Sequence, residues 1–295
     1  MTASPLDDIK ALIARLPPAG PGGAPPDAAL GRLGAIGAQL SRWSPGGKPR
    51  VLRPIVALYA GSHGEGEAAA LRERLELIAA GGAPINALVQ AAGAGLEAFD
   101  LAVERPVGDI AVGAAMSERE CAATMAFGME ALAKQPDLLV VGDIVTGAPV
   151  GPPAIALALY GGEAADWTAQ NPDRAALAVA RLHAETGAPP QPLEILRQLG
   201  GREIAAIAGA ILAARSQGVP VLIDGYGAAA AAAVLHAVDP EAIAHVLAAD
   251  RSPEPGHGRL LAHLKLNPIL NLGTAGEGCG AAAAIGIVRL ACELA

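Results

Sequence analysis

The 295-residue chain is poor in aromatic side chains: two Trp, three Tyr and two Phe make up 2% of it. A core of this chain must therefore be filled by Ala, Leu, Ile and Val, and hydrophobic residues at 52% supply enough of them. Cysteine is scarce as well. Cys121, Cys279 and Cys292 cannot all pair within one chain and show no metal-ligand spacing, which leads to the expectation of a reducing, cytoplasmic setting with no metal. There is no basic cluster, and a formal net charge of -8 argues against a nucleic-acid surface. Long apolar runs are missing too. Stretches such as Ile204 to Ala214 contain Gly and fall short of a membrane span, and Met1 to Asp8 lack the charged-then-apolar layout of a signal peptide. Glycine (37) and proline (24) are abundant but interspersed with apolar runs, the mark of a globular chain with many tight turns.

The most informative stretch is Gly273-Thr274-Ala275-Gly276-Glu277-Gly278-Cys279-Gly280, which opens onto the helix-forming run Ala281 to Val288. Glycines there let backbone approach a ligand, because no Cβ stands in the way. A helix N-terminus exposes unpaired N–H groups and suits an anion. Glu277, with Gly on both sides, is badly placed for core packing. Two readings stand: a carboxylate held for chemistry, or a solvated acid favoured by the helix dipole in the first turn.

Along the chain, residues 5–16 and Leu30 to Trp43 read as helices separated by a Pro/Gly-rich connection. Leu52 to Ala60 is a nearly unbroken apolar strand, as in a sheet covered on both faces. Helices are expected at Ala68 to Ala80, Ile85 to Ala92, Ser117 to Lys134, Leu193 to Leu199, Glu203 to Arg215 and Ala228 to Ala237, with Ser117 and Glu120 forming a capping box. Further strands are expected at Leu96 to Val103, Asp137 to Val141, Val219 to Ile223, Ala244 to Ala249 and Ile269 to Leu272. Alternating strands and helices imply an α/β fold with a mainly parallel sheet flanked by helices, a Rossmann-like three-layer arrangement. Residues 1–50 are expected as a helical segment packing with a smaller helical subdomain that includes the C-terminal region, and residues 51–295 as the α/β domain. Ligands of such sheets bind beyond the carboxyl ends of the strands, where Ser62, His63, Asp143, Asp224, Asp250 and Glu277 fall.

Other motifs are weaker. Gly225-Tyr226-Gly227-Ala228-Ala229-Ala230 follows a strand and fits the loose dinucleotide pattern, but Asp224 would repel a pyrophosphate, and an Ala-rich packing helix is the simpler account. His63 has Glu65 and Glu67 nearby, yet no His pair has i, i+4 spacing, so hydrogen-bonded structural histidines are expected rather than metal ligands. Asp143, at a strand end in a loop with Gly147 and Gly151, either faces a cleft or caps a helix.

Several segments together resemble the nicotinate-nucleotide–dimethylbenzimidazole phosphoribosyltransferase family. They are Pro25-Pro26 with Leu30-Gly31-Arg32-Leu33, Gly81 to Asn86, Leu199 to Leu212, Val221 to Tyr226, Arg251 to His257, Leu266 to Leu272 and Gly276 to Ala282. The likeness covers residues 25 to 295, and the order of the motifs carries it. Departures are local. Ser62 replaces an Asp, Asp143 a Glu, and Ala148-Pro149-Val150 an Asn-Thr-Thr. A stretch after Gly66 that helps hold the benzimidazole is missing, and Arg174 is the nearest cation to a missing phosphate-side Lys.

The resemblance implies transfer of a phosphoribosyl group from nicotinate mononucleotide to a benzimidazole-type base, with inversion to an α-nucleotide for cobamide lower-ligand assembly. It implies Glu277 as catalytic base, Asp143 as supporting carboxylate, no cofactor and a homodimer. For substrate binding it implies Gly147, Ala148, Val150, Gly151 and Arg174 on the phosphate side. Asp224, Ser252, Gly276, Gly278, Ser62 and His63 would complete the site. A non-catalytic nucleotide- or azole-binding paralogue, acting as carrier or regulator, is the alternative.

Overall fold

Largely apolar runs become the strands of one parallel sheet. In the computed structural model, residues 4–22, 27–44, 48–64, 67–147, 149–187 and 189–295 are described. The strands are β1 (Pro54–Ala60), β2 (Gly95–Asp100), β3 (Leu138–Ile144), β4 (Val221–Asp224) and β5 (Val246–Ala248), in the order β2-β1-β3-β4-β5. β1, β3, β4 and β5 are almost wholly buried, while β2, at one edge, is largely half-exposed.

The helices before β4 are α1 (Pro5–Ile13), α2 (Gly31–Ser41), α3 (Glu67–Ala79), α4 (Pro84–Ala92), α5 (Glu118–Gly128), α6 (Gly151–Tyr160), α7 (Pro172–Thr186), α8 (Pro192–Leu199) and α9 (Arg202–Gln217). After it come α10 (Tyr226–Val238), α11 (Pro255–His263) and α12 (Cys279–Glu293). The pleat sends Tyr59, Val141 and Ile223 into one core with α9 and α10, and Leu58, Val140 and Leu222 into another with α12. α2 packs on α12, and α1 packs on α5. Glu67–Ala92, long and apolar enough by composition to cross a membrane, is two helices broken at Gly81, whose φ is +79°.

Two local expectations are corrected. Ile269 to Leu272 is not a strand. Pro268 has no N–H to give, the amides of Ile269 and Leu270 reach the carbonyls of Ala248 and Ala249, and that of Leu272 goes to the Asp250 side chain, so no ladder forms. The helix from Ser117 ends at Gly128 and tightens into a 3₁₀ turn over Met129–Leu132. Ser117 caps it as expected, accepting from the Glu120 amide, but the Glu120 carboxylate leaves the cap for Arg202 Nε at 2.8 Å. α5 crosses α9 so closely that a Cβ on Gly209 would lie 1.8 Å from the Met125 carbonyl oxygen, and one on Gly128 1.9 Å from that of Ala206.

Candidate active site

Parallel register fixes where the carboxylates stand. Tyr59 of β1 pairs with Asp143 of β3, and Gly142 with Asp224 of β4, so both acids emerge at one edge of the sheet. Beyond that edge lies a cleft of about 710 Å³ lined by Arg74, Asp143, Ser252, Gly276 and Glu277, with Pro84 and Tyr226 among the apolar walls. A second recess of about 270 Å³ shares Gly147 and Pro149 with it and is lined by His63, Val150, Gly151 and Arg174.

Glu277 sits at φ +55°, between Gly276 at +98° and Gly278 at +75°. A side chain in this left-handed region costs about 1–2 kcal/mol, and the turn accepts that cost to project the carboxylate into the cleft. The turn is pinned from beneath. Asp250 accepts from the amides of Leu272 (2.7 Å) and Thr274 (2.9 Å) and from the Thr274 hydroxyl (2.6 Å). Burial opposes its ionisation, but these donors outweigh burial and hold its pKa low. Asp224 lies under the start of α12. Burial, then the charge of Asp250, pushes its pKa up to about 7 against the pull of the Gly280, Gly278 and Ala281 amides. The N-terminus of α12 thus already faces a carboxyl group of the protein itself.

Asp143 is pushed up to about 7 as well, first by burial, then by the charges of Glu203 and Asp224. Its carboxyl group rests on Gly227, where a Cβ would stand 2.8 Å from Cγ. This contact accounts for the second glycine of Gly225-Tyr226-Gly227. His63 Nε2 lies 2.8 Å from Glu203 Oε1. Burial lowers the His63 pKa, but Glu203, Glu67 and Asp143 outweigh it and the net shift is upward. Ser252 is fixed by His257, whose Nδ1 accepts from the Ser252 amide at 3.1 Å and lies 2.9 Å from its hydroxyl. Burial lowers the pKa of His257 to about 4, which keeps the ring neutral.

Known proteins share this arrangement of chain. Residues 22–295 match the sequence model of the family described as Phosphoribosyltransferase. The nicotinate-nucleotide–dimethylbenzimidazole phosphoribosyltransferase of Brucella melitensis biotype 1 is 46% identical over 320 residues, covering 99% of this chain and 94% of that protein. The chain belongs to the nicotinate-nucleotide–dimethylbenzimidazole phosphoribosyltransferase family. The protein of the same name from Brucella canis is 45% identical with the same coverage. The crystal structure of the phosphoribosyltransferase of that name from Thermus thermophilus superposes with a TM-score of 0.82 at 28% identity, over 98% of this chain and 94% of the other. The site residues Asp143, Ser252 and Glu277 all lie within the span that matches this phosphoribosyltransferase family.

Of the residues singled out from the sequence, Glu277, Asp143, Ser252, Gly276 and Gly147 line the larger cleft. His63, Val150, Gly151, Arg174 and again Gly147 line the recess, where Arg174 is paired with Asp109 at 2.7 Å. Ser62 and Asp224 are buried and line neither, and Gly278 packs against Val56 and Leu58. Ala148 and the Pro25-Pro26 motif lie outside the described residues. Sequence reasoning missed Arg74, which forks both Glu277 oxygens, and Glu203, which holds His63. Glu203 had a signal, a lone acid opening a long apolar helix. Arg74 had none, standing in the ordinary charged run Arg72-Glu73-Arg74.

Proposed function

We propose that this cleft transfers the phosphoribosyl group of nicotinate mononucleotide to a benzimidazole-type base, giving an α-ribazole-phosphate-like nucleotide for cobamide lower-ligand assembly. The observation that carries the reading is Glu277, a carboxylate aimed into the main cleft by a strained turn in a chain that matches such a transferase over 94% of its length. One ring nitrogen of the base attacks C1′, the bond from C1′ to the nicotinate nitrogen breaks, and the proton on the other ring nitrogen passes to Glu277. Inversion at C1′ gives the α-nucleotide. Glu277 also faces the positive charge that develops on the sugar. Asp143, titrating near neutrality, is the supporting carboxyl group.

The recess beside Gly147 takes the phosphate. With Pro152 and Pro153 following, the first turn of α6 offers the Gly151 amide, and Arg174 adds a cation once it leaves Asp109. Thr146, whose buried hydroxyl has no partner among the described residues, lines the same recess. Assembly as a homodimer and a cytoplasmic location belong to this proposal; sedimentation velocity tests the former.

The deciding experiment mixes the protein with nicotinate mononucleotide and a panel of azole bases and reads products by mass spectrometry. The expected result is free nicotinate together with a nucleotide of base plus phosphoribosyl mass. Nucleotide binding without product from any azole would point to a carrier instead.

A further inference from the structure

The carboxylate of Glu277 has one set of hydrogen bonds among the described residues. Arg74, 203 positions away in sequence, donates from Nε to Oε1 at 3.0 Å and from Nη2 to Oε2. Neither the strained turn nor any amide of α12 holds this side chain. The Glu277 hydrogen bonds raise the pKa of Arg74, and its described hydrogen bonds go to Glu277 alone. The two side chains are 27% and 28% exposed, so solvent screens the charge attraction and the pair is worth more in geometry than in energy. Arg74 is also the cation among the described residues lining the cleft, against the carboxyl groups of Asp143, Glu254 and Glu277.

We propose that Arg74 is the positioning residue of the catalytic base, an inference that rests on the transfer reading given above. A turn of three successive positive-φ residues can aim a side chain but cannot fix its outer torsions, and a general base works only when its lone pair points at the proton it takes. The guanidinium fork holds both carboxylate oxygens in one plane and uses one lone pair on each. Each oxygen keeps a second lone pair, so the ring N–H of the base meets Glu277 from a fixed direction. The connection from β1 to α3 is short, Gly61 to Gly66, and α3 therefore begins close to the cleft, with Arg74 two turns in. Arg72 lies on the same helix but pairs with Glu104 outside the cleft and serves as the control.

The test is steady-state nicotinate release by the parent and by Arg74→Met, Arg74→Lys, Arg74→Ala and Arg72→Met, each checked by thermal melting. Arg74→Met is expected to lower kcat about 10²-fold, the usual consequence of a misplaced reacting group, with the KM for nicotinate mononucleotide unchanged. Arg74→Lys is expected to recover part of kcat, because an ammonium cannot fork a carboxylate. Millimolar guanidinium is expected to raise the kcat of Arg74→Ala, and Arg72→Met is expected to match the parent. Parent-like kcat in Arg74→Met would overturn the inference while leaving the transfer reading intact. So would lost activity that neither lysine nor guanidinium restores, since the role would then be structural. An inactive parent would overturn both.

Discussion

Burial raises the pKa of Asp143 and Asp224 to about 7, from an ordinary value of 3.8. A carboxyl group raised in this way binds its proton more tightly folded than unfolded. Its contribution to stability is therefore greatest in acid and declines as pH rises from about 4 to about 7. His63, also raised, adds stability below its unfolded value and loses it as pH rises through the folded one. The buried His257 and His245, lowered to about 4 and about 3, act in the opposite sense and cost stability as pH falls below 6.5. A variant isolates one group from this sum. Asp224→Asn should gain denaturant midpoint relative to the parent at about pH 8 and much less at about pH 5. Equal differences at both pH values would mean that Asp224 is not raised. At the same scale, Asp143→Asn should slow turnover less than Glu277→Gln, because in the proposed transfer Asp143 has a supporting place and Glu277 takes the proton; nicotinate release compares them. Asp143 was legible in the sequence as an acid near a strand end, and Glu277 as an acid between glycines ahead of a helix. Arg74 was not, because its role depends on where α3 starts in space and not on its neighbours in the chain.

At the scale of elements, the crossing of α5 over α9 leaves no room for a side chain at Gly128 or Gly209. Gly209→Ala must move the Met125 backbone, and overpacking of this kind costs about 1–3 kcal/mol or more. Urea unfolding of the folded variant measures it, and parent-like stability would show that the crossing is loose. The strands were easy to read because four of the five are almost wholly buried and so stay apolar, apart from Asp143 near the end of β3 and Asp224 at the end of β4. Three helices escaped notice, and each opens on proline: α6 with Pro152-Pro153, α7 with Pro172 and α11 with Pro255. Proline in the first turn gives up an N–H that has no helical partner there, so it starts these helices as readily as it breaks others. Ile269 to Leu272 erred the other way. Its apolar run suited a strand, but its amides are used by the end of β5 and by Asp250 to anchor the turn that carries Glu277.

For the whole molecule, five parallel strands bring residues from distant parts of the chain to one edge. α3 and α12 then close over that edge from the same face, and Glu277 and Arg74 meet between them. The dinucleotide-like glycines prove to be space for Asp143, and the free helix N-terminus proves to be filled by Asp224. Membership of the phosphoribosyltransferase family fits this plan, and in the proposed transfer the proton of the base passes to Glu277. The most direct measurement is the rate of nicotinate release from nicotinate mononucleotide and benzimidazole by the parent and by Glu277→Gln, with nucleotide affinity measured alongside. Glu277→Gln is expected to lower kcat about 10²- to 10⁴-fold with nucleotide affinity unchanged. Equal turnover of variant and parent would contradict it.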